Sequence, residues 1–249
     1  MYLGVDYYPE HWNENMLNED LDNIIELGSN VIRIGEFAWH MMERIEGEYD
    51  FSYFDHVIAK AKEKGLKVIF GTPTATMPAW LAKNYPDVLS EFEDNTKRAF
   101  GGRRQYCFNS RTYHKFSEKI IRALAEHYKN EKGIVAWQID NEFGHEGSDI
   151  CFCDECKRAF RDYLKEAYNN NINRLNEIWG TVFWSQEYND FDEIPLPAKT
   201  ITTHNPSLRM EWERFRSLSV ERYAKMQVDL LKEVLGEDSV VMHDFSGGY

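Results

Sequence analysis

The segment IVAWQIDNE, residues 134–142, ends in the side chains of this sequence that are best placed for chemistry. Its first residues are mostly apolar, which is typical of a buried parallel strand. Asp140, Asn141 and Glu142 follow directly, and in a (β/α) barrel such polar groups at the carboxyl end of a strand face the active site. A carboxylic acid can protonate a glycosidic leaving oxygen, and a neighbouring amide can bind a sugar hydroxyl. The same Asn-Glu pair is also typical of a helix start, so the segment alone leaves both interpretations open.

A second group of reactive side chains consists of four cysteines, three of which form a compact C-x-C-x-x-C run. They are Cys107, Cys151, Cys153 and Cys156. Such crowding favours a tetrahedral zinc thiolate over a disulfide framework, with four unlinked thiols as the alternative. Four protein ligands leave no open coordination position, so the zinc would be structural. It would tie the loop after the third strand to the segment after the fourth.

Strands and helices alternate along the chain and must position these groups. Apolar runs predict strands at residues 2–8, 30–34, 66–70, 134–139 and 239–245, the last followed by a loop at 246–249. Apolar residues at helical spacing predict helices at 13–27, 54–64, 117–128, 173–180 and 207–235, and one around 160–164. Residues 71–80 are too irregular for a strand or helix, and residues 82–112 are predicted to form a long loop. This order requires parallel pairing of the strands.

The spacing of the strands bears on the domain organisation. Five strands in 249 residues imply that an eight-stranded barrel would need roughly 400 residues, which insertions allow. We therefore predict an α/β fold of the (β/α)8 TIM-barrel type, incomplete here, with about five βα units. Residues 1–249 would form the N-terminal portion of a catalytic domain, with a zinc-bearing loop region at 101–156 and an insertion around 171–206. A doubly wound open sheet is the alternative, but no Gly-rich phosphate loop follows the first strand.

The composition restricts the partners. A net charge of −13 argues against nucleic acid or an anionic membrane as a partner and says little else about function. The first residues lack the basic region and apolar core of a signal peptide, and no apolar run is long enough to cross a bilayer. We therefore expect a cytoplasmic protein.

Five motifs in the same order resemble the family-42 glycoside hydrolases and together cover essentially the whole chain. They are DYYPEHW at 6–12, RIGEFAW at 33–39, TPTATMPAW at 72–80, GRR at 102–104 with Asn109, and WQIDNE at 137–142. The resemblance implies a retaining β-galactosidase with a (β/α)8 catalytic barrel. It implies that Glu142 is the general acid/base and that Arg103 and Asn141 bind the galactosyl unit. It also implies that the four cysteines match the zinc site of part of the family, and that the protein forms a homotrimer.

The sequence departs from the family pattern at the nucleophile. In the family this residue is a glutamate at the end of strand 7, which would fall beyond residue 249. A retaining enzyme needs two carboxyl groups about 5–5.5 Å apart, and Glu36, Asp140 and Asp244 are nearby carboxylates at other positions. We therefore predict that this chain alone is inactive. The alternatives are a non-catalytic carbohydrate-binding or truncated fragment, and a related retaining β-glycosidase of other sugar specificity.

Other polar and aromatic residues have less specific interpretations. We expect Glu142 to be protonated near neutral pH in the complete site. Arg103 without the resemblance would be interpreted as a solvated loop arginine. Trp39, Trp80 and Trp137 could stack on sugars or belong to the core, and His11 and His243 are predicted to be hydrogen-bonded structural residues.

Overall fold

The computed structural model describes residues 1–246 and contains a five-stranded parallel sheet with the strands in sequence order. The strands are β1 (Gly4–Asp6), β2 (Val31–Ile34), β3 (Lys67–Gly71), β4 (Ile134–Gln138) and β5 (Val241–Met242). Val5 pairs with Ile32, and Phe70 pairs with Trp137. Because all strands run in one direction, their carboxyl ends lie along one edge of the sheet.

In the described part of the chain, eight α-helices connect these strands. They are α1 (Leu17–Glu26), α2 (Trp39–Met42), α3 (Ser52–Glu63), α4 (Ala79–Asn84), α5 (Arg111–Tyr128), α6 (Asp154–Ala167), α7 (Ile172–Trp179) and α8 (Pro206–Leu235). Within residues 1–246, no helix is both long and apolar enough to cross a membrane.

The buried apolar side chains form two clusters. The larger cluster joins the sheet to α1, α3, α5 and the C-terminal half of α8, with Ile32 and Phe70 at its centre. The smaller cluster joins α6, α7 and the N-terminal half of α8 around Phe160 and Trp212, and it includes the four cysteines. Helix α8 has 30 residues and is about 45 Å long. It therefore contributes to both clusters and connects the cysteine region to the sheet.

The structure corrects the sequence prediction between β3 and β4. A 3-10 turn at Pro73–Ala75 and the start of α4 occupy part of the segment predicted to be irregular. The predicted loop at 82–112 contains a further 3-10 turn at Pro86–Val88 and antiparallel bridges such as Leu89–Tyr106. Helix α5 begins at Arg111, six residues before the predicted start at 117, because Ser110 Oγ accepts the Tyr113 N–H at 3.1 Å.

The short helix α2 lies where no helix was predicted, and other differences are at element ends. Strand β5 is only Val241–Met242, shorter than the predicted 239–245. The loop predicted after it lies, for residues 247–249, outside the described residues. Residues 171–206 contain α7 and two 3-10 turns, and their interpretation as an insertion stays a prediction.

Candidate active site

The chain turns sharply where β4 ends. Asp140 and Glu142 adopt left-handed backbone conformations, with φ of 50° and 47°. Non-glycine residues in this region are strained, and such strain is concentrated at functional sites. The Asp140 N–H donates to Thr72 Oγ1 at 2.7 Å, and the Asn141 N–H donates to Asp140 Oδ1 at 2.8 Å. The turn is therefore held by hydrogen bonds to its first residue and projects Glu142 past the strand end.

Asp140 is a support for this turn. Its side chain is fully buried, and Thr74 Oγ1 donates to Asp140 Oδ2 at 2.5 Å. Burial raises the pKa of Asp140, although its hydrogen bonds oppose the shift. A carboxyl group that is buried among these partners is not accessible to a substrate.

Strand β5 secures the turn from the other side. His243 Nδ1 is 2.7 Å from the Ile139 carbonyl oxygen, and the Phe143 N–H donates to His243 Nε2 at 3.1 Å. Only a neutral imidazole with its proton on Nδ1 makes both bonds. Asp244 Oδ1 accepts the Glu142 N–H at 3.4 Å. The prediction that His243 is a hydrogen-bonded structural residue is confirmed.

The Glu142 carboxylate faces a group of donors and is 27 % exposed. Its Oε2 accepts from Arg104 Nη1 at 2.6 Å and from Asn141 Nδ2 at 3.2 Å. Burial raises the pKa of Glu142, but Arg104, Arg103 and His145 outweigh it, so the pKa lies below its ordinary value. In this arrangement Glu142 is ionised at neutral pH, which differs from the protonated state expected for the complete site.

The two arginines of the GRR motif lie in different environments. Arg103, the predicted sugar-binding residue, is 46 % exposed, and its Nη1 is 3.7 Å from Glu142 Oε2. Its guanidinium lies 5.6 Å from the centre of the Phe37 ring. Arg104 is only 2 % exposed and contacts both Glu142 and Glu146. Sequence reasoning missed Arg104, and the only available signal was its position beside Arg103.

A further buried carboxylate lies at the end of β2. Glu36 Oε1 accepts from Arg33 Nε at 3.0 Å and from the Tyr8 hydroxyl at 3.0 Å. Burial raises the pKa of Glu36, with Arg33 opposing. Arg33 Nη1 also lies 3.3 Å from Asp244 Oδ2, three strands away in the sheet order. Contact between β2 and β5 across their carboxyl ends is expected of a sheet that curves as a barrel wall does.

Of the three tryptophans that could stack on sugars or belong to the core, two are core residues and the third packs against the core. Trp39 and Trp137 are buried in the larger apolar cluster. Trp80 is partly buried against the same cluster, and its indole N–H donates to the Glu43 carbonyl at 2.9 Å. Packing therefore covers Trp39 and Trp137, whereas Trp80 is only partly buried.

The four cysteines come together as predicted from their spacing. Their Sγ atoms lie within 4.8 Å of one another and all four residues are buried. Cys107 Sγ is 3.6 Å from Cys153 Sγ and 3.3 Å from Cys156 Sγ. Sulfurs around a tetrahedral zinc are about 3.8 Å apart, given a Zn–S bond of about 2.3 Å. Backbone N–H groups of Asn109 and Glu91 donate to Cys107 and Cys151 sulfurs at 3.3 and 3.4 Å. The residues present therefore fit a zinc ion.

The curved parallel sheet, with helices between its strands and a partly exposed carboxylate beyond β4, has the architecture of part of a (β/α) barrel. The model of glycoside hydrolase family 42, described as Beta-galactosidase, matches residues 6–248, and this chain belongs to that family.

Relatives with known names support this membership. The chain is 41 % identical to Beta-galactosidase BgaA of Thermus sp over 98 % of this chain and 38 % of the relative. It is 38 % identical to Beta-galactosidase BgaH of Haloferax lucentense, covering all of this chain and 37 % of the relative. The chain therefore spans less than two fifths of the length of these relatives.

Solved structures that are similar to this chain also include β-galactosidases. The β-galactosidase of Halorubrum lacusprofundi superposes with a TM-score of 0.96 at 39 % identity, over all of this chain and 37 % of that structure. The β-galactosidase of Marinomonas ef1 gives 0.95 at 38 % identity, over all of this chain and 38 % of that structure. The catalytic domain of a Paenibacillus polymyxa β-amylase shares the fold, with a TM-score of 0.74 at 15 % identity.

These comparisons confirm the predicted family and the predicted incomplete (β/α) barrel. The comparisons do not test the roles of Glu142, Arg103, Asn141 and the cysteines, which stay predictions.

Proposed function

We propose that this chain supplies the acid/base side of a retaining β-galactosidase site. The observation that carries the proposal is the partly exposed Glu142 carboxylate on a strained turn at the end of β4, beside Asn141 and Arg103. The names of the relatives support a galactoside as substrate.

The reaction takes two steps. Protonated Glu142 donates its proton to the glycosidic oxygen while a second carboxylate attacks the anomeric carbon, so the glycosidic C–O bond breaks and a galactosyl ester forms. Ionised Glu142 then takes a proton from water, whose oxygen displaces the ester carboxylate and releases galactose with retained configuration. Glu142 ends the cycle protonated.

Neighbouring donors would bind the sugar. The Asn141 amide, which donates to Glu142 at 3.2 Å, is placed to donate to the 2-hydroxyl instead when sugar is bound. Arg103 has an exposed guanidinium whose planar set of donors suits other hydroxyls, and lysine would replace it poorly.

The described carboxylates near Glu142 do not suit the role of nucleophile. Asp140 is buried beneath the turn, and Glu36 is buried against Arg33. Asp244 accepts the Glu142 N–H and pairs with Arg33. We therefore expect the nucleophile from a later strand of the barrel and no turnover by this chain alone.

We also propose that the four cysteines hold a structural zinc ion, which would crosslink the loop before α5 to the start of α6. A closed set of four thiolates activates no water. The predicted homotrimer and cytoplasmic location stay predictions.

A chimera tests the proposed function. This chain would replace the corresponding region of the Halorubrum lacusprofundi β-galactosidase, which superposes with a TM-score of 0.96. We expect the chimera to hydrolyse nitrophenyl β-galactoside faster than the glucoside or arabinoside, and the 249-residue chain alone to show no turnover. Glu142→Gln in the chimera should lower kcat/KM by about 10²–10⁴ for a galactoside with a poor leaving group.

Three results would contradict the proposal. Full activity of the Glu142→Gln chimera would remove the acid/base role. Turnover by the chain alone would show that the described carboxylates suffice, and preference for another sugar would favour a related β-glycosidase.

A further inference from the structure

A buried guanidinium bridges two carboxylates at the site. Arg104 Nη1 lies 2.6 Å from Glu142 Oε2, and Arg104 Nη2 lies 2.7 Å from Glu146 Oε2. Arg104 Nη1 also donates to the Glu142 carbonyl oxygen at 3.3 Å. The Arg104 side chain is 2 % exposed, whereas that of Glu146 is 70 % exposed. Arg104 therefore holds both the backbone and the carboxylate of Glu142 while keeping a second partner at the surface.

The residues that form this bridge have strained backbone conformations. Arg104 and Glu146 have φ of 59° and 56°, in the left-handed region that Glu142 also adopts. The Arg104 N–H donates to the Ala75 carbonyl at 2.8 Å, which fixes the loop beneath the guanidinium. Three strained residues on two segments that meet at one guanidinium indicate a maintained arrangement rather than a chance surface ion pair.

The Glu146 carboxylate affects how readily Glu142 takes up a proton. A buried guanidinium that paired with Glu142 alone would lose its only counter-charge whenever Glu142 took up a proton, and an unpaired buried charge is costly. Glu146 leaves Arg104 paired in both protonation states of Glu142. The bridge can therefore orient Glu142 without locking it in the ionised form.

Other charged or titratable groups also face Glu142. Each either favours the ionisation of Glu142, as Arg104 does, or opposes it. Arg103 Nη1 is 3.7 Å from Oε2, but its exposure to water screens its charge. His145 is a further cationic contributor when protonated, and Ser246 Oγ lies 2.6 Å from its Nδ1. Asp244 accepts the Glu142 N–H and pairs with Arg33. Arg104 has the shortest contact and the most buried charge, so its effect should be the largest.

We propose that Arg104 is a positioning residue that orients the Glu142 carboxyl and governs its proton exchange, with Glu146 as the counter-charge that keeps this exchange reversible. The role of this proton exchange in catalysis rests on the proposed function. The effect of Arg104 and Glu146 on the protonation of Glu142 does not depend on that function.

Carboxyl titration of the 249-residue chain tests the proposal. The protein would carry ¹³C in its glutamate carboxyl groups, and Glu142→Gln would assign the Glu142 signal in NMR spectra. We expect Arg104→Gln to raise the pKa of Glu142 by about 1 or more, because an opposite charge in contact is lost. Glu146→Gln should lower the pKa of Glu142, because Arg104 then has Glu142 as its only carboxylate partner.

Arg103→Gln is the matched control, since it removes the adjacent arginine at 3.7 Å. A shift in Arg104→Gln no larger than in Arg103→Gln would overturn the proposal. So would a rise or no change in the pKa of Glu142 in Glu146→Gln. Glu146 is 70 % exposed, so this second variant keeps the test valid even if Arg104→Gln fails to fold.

The titration needs no turnover, so its outcome is independent of the proposed function. In the chimera, the same variants should move the limb of the kcat/KM pH profile assigned to Glu142 in the same two opposite directions. Opposite titration shifts together with an active Glu142→Gln chimera would refute the hydrolase role and leave the bridge intact.

Discussion

Each carboxylate beyond the strand ends has a different local environment. Glu142 is partly exposed among cationic groups, and its pKa is lowered, whereas burial raises the pKa of Asp140 and of Glu36. Environments that shift neighbouring carboxyl groups in opposite directions are the means by which one site assigns different roles to the same chemical group. At the residue scale, Glu142 is the partly exposed carboxylate of the three, and the proposed acid/base role therefore falls to it.

The lowered pKa of Glu142 predicts a dependence of stability on pH. Its folded value lies below the ordinary value of 4.5, so the ionised form stabilises the fold. This contribution is present above about pH 4.5 and is lost as the pH falls through the folded pKa. Urea unfolding at pH 7 and at pH 3 should show a smaller loss of unfolding free energy in Glu142→Gln than in the parent chain. The exposed residue Glu221 is the control, and an equal effect of Glu221→Gln would contradict the prediction.

At the scale of elements, two connections hold the segments that carry the site. His243 and Asp244 beyond β5 fix the turn after β4, and the cysteines join the loop before α5 to α6. Both connections link residues far apart in sequence, so the geometry of the site depends on contacts between elements and not on the turn alone.

The thiolate cluster predicts bound zinc and a stabilising role. The chain purified without chelator should contain about one equivalent of zinc by elemental analysis, and chelation should lower its Tm because metal binding is coupled to folding. Cys153→Ser should lose both effects. Less than about a tenth of an equivalent in the parent chain would contradict the prediction.

The start of α5 predicts the effect of a helix cap. Ser110→Ala removes the acceptor of the Tyr113 N–H and should lower the unfolding free energy by about 1 kcal/mol, measured by urea unfolding. Ser207→Ala is the control, because Asn205 is the cap of α8. An equal loss in both variants would show that Ser110 has no capping role.

The sequence predicted more about elements than about contacts. The apolar run of β4 and the polar residues after it predicted the position of Glu142 at a strand end. The start of α5 was missed because its first turn is polar and the cap signal is the single residue Ser110. Arg104 was missed because its burial depends on a positive φ and on partners about forty residues away, which no local pattern encodes. Trp39 and Trp137 were ambiguous because core and cleft use the same aromatic side chains.

At the scale of the whole molecule, the described sheet has two strands with one neighbour each. β1 pairs with β2 and β5 with β4, and a largely apolar cavity of about 440 Å³ lies beside β1. Its lining includes Tyr7, Trp12 and Ile24. Exposed strand edges and apolar surface favour association with further protein.

This surface predicts the behaviour of the chain in solution. The chain alone should associate with increasing concentration in sedimentation experiments, and Leu27→Lys in the apolar cavity should reduce that association. Ile201→Lys, at an exposed position outside that cavity, is the control. A monomer at all concentrations, or equal effects of the two variants, would contradict the prediction.

Azide rescue of a Glu142→Ala chimera tests the acid/base role of Glu142 most directly. With an aryl galactoside that has a good leaving group, the galactosyl ester should form but hydrolyse slowly, because water lacks its general base. Azide needs no base, so it should restore turnover and yield β-galactosyl azide with retained configuration. Unchanged hydrolysis without azide, or a loss that azide does not restore, would contradict the assignment of Glu142 as the acid/base.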